Sequence, residues 1–360
     1  MCRHLAYLGP PTPVGTLLTQ GPHSLRTQSW APREMRGGGT INADGFGVAW
    51  WHHPDAATPD HGPGVIWHGG SAPDIRAAAE GDSSQASGPG PVAGGAVPDQ
   101  PETPSAAGDL VVSRYRNAAP IWTDPAVDEV LPQIHSTAVL AAIRSATVGM
   151  PVERAACAPF THGRWAFSHN GAIPDWRRVL SEVAEEFGAP SLLDAESLTD
   201  SAALWVIVRG LLEDNPANSE SGTRSASSAA SFGSTVSVSS TSGASPEVRA
   251  WGWTTASAGS GSDTGGMEPG AALRRVSAAV LARSPKARLN LLLGDGVGVW
   301  ATTWHHALSV LEADGFVVVA SEPYDDDPRW RPIADRQLVR VRGGRVAVEP
   351  LDIEIGRAGS

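Results

Sequence analysis

The chain has 360 residues, 41% of them hydrophobic, and a formal charge of -11. That length buries the core of one large domain or two small ones. The acidic balance and the absence of any Lys/Arg cluster exclude a nucleic-acid partner, whose phosphates demand positive charge. Two cysteines exclude a disulfide framework and a four-cysteine metal site. No run reaches the roughly 18 apolar residues of a membrane helix, and the opening Met1–Gly9 (MCRHLAYLG) lacks the apolar core of a signal peptide. The expected location is the cytoplasm.

In chain order, Asn42–Gly47 (NADGFG) reads as a turn leading into a strand over Gly47–Trp51, with another strand over Val65–His68. Residues 81–108 hold no aromatic residue and no Leu or Ile, and read as a flexible insertion. Asp124-Pro125 looks like the cap and first turn of a helix. Strands are expected over Val139–Ile143 and Trp165–Ser168. After Pro174, the residues Trp176, Val179, Leu180, Val183 and Phe187 recur at helical spacing until Gly188 stops the run. Thr199 caps a helix through Ala202–Leu212. Residues 215 to about 270 are rich in Ser, Gly, Ala and Thr and read as a second insertion. A periodic run over Ala271–Arg283 precedes strands at Leu289–Leu293, Val297–Thr302, Phe316–Ala320, Leu338–Arg342 and Arg345–Val348. Asp295-Gly296 and Gly343-Gly344 supply tight turns. Hairpins with interspersed helices and no repeated βαβ unit predict a layered α+β fold in a single domain spanning residues 2–360.

Five local features stand out, four of them with residue types suited to chemistry. Cys2 becomes N-terminal if Met1 is removed, and its α-amine then lies beside the thiol as a base. In Ser168–Gly171 (SHNG), an Asn side chain and a glycine N–H are a suitable pair of donors for a developing oxyanion, although Asn-Gly is also a common turn. Arg144, delivered by a strand end in RSATVG, suits a bidentate carboxylate clamp or a surface ion pair. Asp200 in Thr199–Ser201 could hold an ammonium group or simply favour the helix N-terminus. The Asn42–Gly47 turn has no chemistry of its own.

All five occur in one order, and with them the chain resembles the class II glutamine amidotransferase group of N-terminal nucleophile hydrolases. Within that group it is most similar to the ergothioneine-pathway amidohydrolases, through MCRHLAYLG, QSWAPR (28–33), NADGFGVAW (42–50), RSATVG (144–149), HNG (169–171), TDS (199–201) and SEPYDDDPRW (321–330). The resemblance implies a four-layer αββα sandwich of two antiparallel sheets, with Cys2 at the start of a strand. It implies hydrolysis of γ-glutamyl-hercynylcysteine S-oxide to glutamate and hercynylcysteine S-oxide through a thioester on Cys2. It also implies that Asn170 and Gly171 form the oxyanion hole, that Arg144, assisted by Thr147, takes the glutamyl carboxylate, and that Asp200 takes the ammonium, with His169 also in the substrate site. No metal, organic cofactor or obligatory protein partner is implied. The sequence departs from the family pattern at Ala156, with Cys157 beside it, and at Ala202.

Two other readings stand beside this one: an ammonia-donating glutaminase subunit, and a regulatory protein that binds glutamate without reaction. The chain also has 13 Trp against 3 Tyr. Aromatic faces attract a trimethylammonium group, so Trp30, Trp50 and Trp51 are candidates for the leaving-group site.

Overall fold

The computed structural model describes residues 2–34, 41–54, 110–147, 149–213, 266–313 and 315–353. The expected strand at Val65–His68 and most of both expected insertions lie outside the described residues. The first half contains β1 (Arg3–Pro13), α1 (Val14–Thr19), α2 (Leu25–Gln28), β2 (Phe46–His52), β3 (Val111–Asn117), α3 (Ala126–Glu129) and β4 (His135–Ile143). Next come β5 (Phe160–His162), β6 (Trp165–Ala172), α4 (Trp176–Phe187), α5 (Asp200–Leu212) and α6 (Pro269–Arg283). The chain finishes with β7 (Arg288–Gly294), β8 (Gly298–Thr303), β9 (Ser309–Ala313), β10 (Phe316–Ala320), β11 (Arg331–Pro332), β12 (Gln337–Arg342) and β13 (Arg345–Pro350).

The strands form a seven-stranded sheet, β11-β9-β10-β1-β4-β2-β3, and a six-stranded sheet, β13-β12-β8-β7-β6-β5. Strand alternation explains how both become sandwiched. In β1, Leu5 and Tyr7 pack with Val14, Leu18 and Leu25 under α1–α3, whereas Ala6 faces the second sheet. In β6, Phe167 packs against Trp205 and Leu204 of α5, whereas Ala166 joins the core between the sheets. Three apolar cores therefore separate four layers, the αββα sandwich that the resemblance implies. Fully burying each Leu, Val or Phe stabilises such a core by roughly 1.5–3 kcal/mol.

Helix ends follow their local chemistry. Thr199 caps α5 by accepting the Ala202 N–H, and Gly188 ends α4 in the left-handed region (φ 56°) where glycine carries no Cβ penalty. The helix expected from Ala271 starts earlier, at Pro269, where the Glu268 side chain accepts the Ala271 N–H. At the other end of the length scale, β6 continues through His169, Asn170 and Gly171 to Ala172. The SHNG segment thus lies at the end of the strand, paired with β7, and Asn-Gly forms no turn here.

Candidate active site

β1 and β4 bring their ends to one edge of the gap between the sheets. Arg3 pairs with Ile143, so the next residues outward, Cys2 and Arg144, lie side by side. Alternation turns both toward the second sheet, where β6 presents Ser168 and Asn170. Cys2 is half-buried and lines a small cavity with Arg144, Ala156, Ala158, Phe160, Ser168, His169 and Ser201. Its thiol lies 4.0 Å from the Ser145 carbonyl oxygen.

Behind Cys2 the gap is polar, with His4, Ser168, Asn170 and Ser321 all buried. The Ser321 hydroxyl accepts the His4 N–H (3.0 Å) and an Asn170 amide hydrogen (3.4 Å). His4 Nδ1 is 3.3 Å from Ser168 Oγ. An Asn amide nitrogen carries two hydrogens, so the bond to Ser321 leaves Asn170 a second donor. Burial pushes the His4 imidazole down to about 3, helped by nearby His169 and Arg3. His306 is likewise lowered to about 3, by burial first and then by Arg288. Both rings are therefore neutral near pH 7.

On the helix side of β6, His169 Nε2 donates to the Arg288 carbonyl at 2.8 Å, which leaves Nδ1 to accept from the Ser201 hydroxyl at 3.1 Å. The ring forms a fixed wall of the cavity, with both nitrogens engaged inside the protein. It also explains Gly171: a Cβ there would lie closer than 3.0 Å to both the Arg288 carbonyl and His169 Nε2. Asp200, buried at the first turn of α5, accepts the Ile173 N–H (3.0 Å) and the Ser201 N–H (2.8 Å). It fastens α5 to the end of β6.

Arg144 is held by its backbone: its N–H donates to the Gly45 carbonyl and its carbonyl accepts the Asp44 N–H. The Asp44 carboxylate accepts the Ala146 N–H at 2.7 Å, so the Asn42–Gly47 turn, which has no chemistry of its own, is the brace of the arginine loop. Thr147 is exposed on that loop. Cys157 packs beneath Gly45, and burial raises its thiol to about 11. Both cysteines are free.

No family model matches the chain. The gamma-glutamyl-hercynylcysteine sulfoxide hydrolase of Mycolicibacterium smegmatis is 31% identical over 353 residues, covering 98% of this chain and 100% of that protein. The protein of the same name from Mycobacterium tuberculosis is 31% identical over 354 residues, covering 98% of this chain and 97% of that one. This chain belongs to that family. It is accordingly a hydrolase. Among solved structures, a glutamine aminotransferase class-II domain protein from Silicibacter pomeroyi aligns with a TM-score of 0.45 at 17% identity, covering 98% of this chain and 100% of that one.

Of the residues that the family resemblance marks, the structure brings Cys2, Arg144 and His169 to one cavity. Asn170 and Gly171 continue β6 beside it, Asp200 lies under its Ser201 wall, and Thr147 stands apart on the loop surface. A larger cavity lies elsewhere: about 650 Å³ beside α4, lined by Trp176, Leu192 and Leu198 and by none of these groups. Sequence reasoning missed Arg3, His4, Ser321 and Glu322 as parts of the site. Their signal was adjacency, since Arg3 and His4 follow Cys2 directly and Ser321-Glu322 opens the SEPYDDDPRW stretch.

Of the tryptophans, Trp51 is buried between the sheets and its indole N–H donates to the Arg164 carbonyl at 2.7 Å. Trp50 packs in the core under α1–α3. Trp30 is 46% exposed and meets the 40% exposed Trp122 edge-on, with centroids 5.6 Å apart.

Proposed function

We propose that this hydrolase cleaves the γ-glutamyl amide of γ-glutamyl-hercynylcysteine S-oxide, giving L-glutamate and hercynylcysteine S-oxide, with Cys2 as nucleophile. The observation that carries the reading is the Cys2 thiol in a cavity shared with Arg144 at the end of a central strand, in a chain that aligns from end to end with hydrolases of that name.

With Met1 removed, the Cys2 α-amine, whose ordinary pKa is near 8, takes the thiol proton. The sulfur attacks the γ-carbonyl carbon, a C–S bond forms, and charge collects on the carbonyl oxygen. The second Asn170 amide hydrogen and the Gly171 N–H stabilise that oxyanion; one such donor is worth roughly 10²–10³ in kcat. Collapse breaks the C–N bond and the departing amine takes the proton. Water then hydrolyses the thioester, releasing glutamate and restoring the thiol. Arg144, with Thr147, clamps the substrate α-carboxylate; Asp200 holds the α-ammonium; His169 shapes the wall. The balance requires water alone, without metal, organic cofactor or protein partner.

The test is intact mass of the purified protein, then glutamate release from the sulfoxide substrate with no other protein present. Loss of Met1 together with release that vanishes in Cys2→Ala supports the reading. Processed protein that binds glutamate and releases none would leave the regulatory alternative, and release only from glutamine in the presence of a synthetase would leave the ammonia-donating one.

A further inference from the structure

An N-terminal nucleophile has one covalent tether. The planar peptide unit between Cys2 and Arg3 places the Cys2 Cα and the axis about which thiol and amine turn, so its carbonyl is an anchor point for the nucleophile. Cys2 precedes the first ladder pair of β1, which begins at Arg3, so the ladder pairs begin only one residue after it. The carbonyl is held instead by a side chain: the Arg3 guanidinium donates to the Cys2 oxygen at 3.1 Å. That guanidinium is itself buried and faces the buried Glu322 carboxylate, 3.5 Å from Nε to Oε2. Glu322 also accepts the Arg33 N–H at 3.1 Å and the Glu34 N–H at 2.7 Å.

The neighbouring residue grips the opposite face of the same strand. The Ser321 N–H donates to the His4 carbonyl at 2.9 Å, and its hydroxyl joins His4 to Asn170. The dipeptide Ser321-Glu322 therefore spans the start of β1, with Asn170 bonded on one side and the Cys2 carbonyl linked through Arg3 on the other. Burial lowers the Arg3 pKa, against the opposing pull of Glu322. Buried ion pairs are often no more stabilising than apolar residues of the same volume, so a pair retained at this point is explained by geometry better than by stability.

We propose that Arg3 and Glu322 are positioning residues that set the Cys2 thiol and amine against the carbonyl to be attacked. The proposal rests on Cys2 being the nucleophile of the reaction above. Neither residue touches substrate; both act through the Cys2 carbonyl.

The experiment uses Glu322→Gln, which keeps the shape and one acceptor but removes the charge opposite Arg3, and Arg3→Lys, which cannot reproduce the guanidinium geometry. For each, kcat, KM and the rate at which iodoacetamide alkylates Cys2 are measured at a temperature where circular dichroism shows the variant folded. A displacement of the nucleophile by about 1 Å costs on the order of 10²-fold, so kcat should fall roughly 10–100-fold with KM changed less than about threefold. The alkylation rate should change alongside, because a displaced Cα moves the thiol from its place in the cavity beside Arg144. A purely structural role would lower the melting midpoint and leave kcat per folded molecule and the alkylation rate unchanged; that result overturns the proposal. Alkylation needs no substrate. If the parent enzyme releases no glutamate, the reaction assigned above fails, and the positioning pair is still judged on alkylation alone.

Discussion

Gly171→Ala is the sharpest steric test of the site. The added methyl meets the Arg288 carbonyl and His169 Nε2, both inside 3.0 Å. One neighbour is backbone in the partner strand β7, and the other is a ring pinned at both nitrogens. Neither yields at little cost. Overpacking of this kind costs typically 1–3 kcal/mol, and displacing the ring leaves a buried carbonyl unpaired for about 1–3 kcal/mol more. The total, roughly 2–6 kcal/mol, corresponds to a melting midpoint lower by about 4–24 °C at ~2–4 °C per kcal/mol for a domain of this size class. Because the same shift moves the Gly171 N–H, glutamate release should fall by roughly 10²-fold. Differential scanning calorimetry and a glutamate-release assay on one preparation check both. A folded Gly171→Ala protein with an unchanged midpoint and full activity would refute the account of why glycine is required here.

Other expectations follow from the buried groups and the exposed tryptophans. His4 and His306, with pKa values of about 3 in the folded protein against about 6.5 unfolded, make the unfolded chain bind more protons between those limits. Stability should therefore be constant above pH 6.5 and fall below it by about 1.4 kcal/mol per pH unit for each ring. His306→Gln should flatten the dependence of the melting midpoint on pH, and an identical slope would show that the ring is not held neutral. Cys157, raised to about 11 by burial, should resist iodoacetamide at pH 8, so mass spectrometry of folded protein should show one adduct, at Cys2; two would contradict that burial. Trp30→Ala should raise KM for the trimethylated substrate by roughly 2–30-fold, the equivalent of about 0.5–2 kcal/mol. KM for an analogue without the three methyl groups should not move, and equal losses on both would remove Trp30 from the leaving-group site.

The legible parts of this fold are those in which apolar periodicity and turn chemistry agree. β2, β10 and the β12–β13 hairpin lie within about a residue of where Gly47–Trp51, Phe316–Ala320 and the Gly343-Gly344 turn place them. α4 stops at Gly188 and α5 starts at Thr199 for the reasons their sequences suggest. β1 was not legible from pattern, because Gly9, Pro10, Pro11 and Pro13 read as a breaker cluster, and only the family resemblance put a strand there. The strand tolerates them because its pairing with β4 is interrupted between Leu8 and Thr12. β6 runs on to Ala172, past the Ser168 end expected for it: Asn-Gly signals a turn locally, but pairing with β7 outweighs it. At the site, residue types revealed Cys2, Arg144 and Asn170 as candidates. The roles of Glu322 and Ser321 are set by contacts nearly the whole chain length away, with Arg3 and His4, and no local pattern encodes those.

The junctions of the two long internal stretches lie at the edge of the sandwich away from Cys2. β2 enters beside Arg144 at Phe46 and leaves at His52, paired with Val111 where β3 begins. α5 starts at Asp200 and runs outward to Leu212, where Glu213 meets His162 beside the β5–β6 turn. Lengthening a surface loop costs only about 0.6 kcal/mol per doubling of its length. The molecule thus offers two grafting ports, at residues 54/110 and 213/266, where a fluorophore, an affinity handle or a whole reporter domain can be spliced while the hydrolytic end stays untouched.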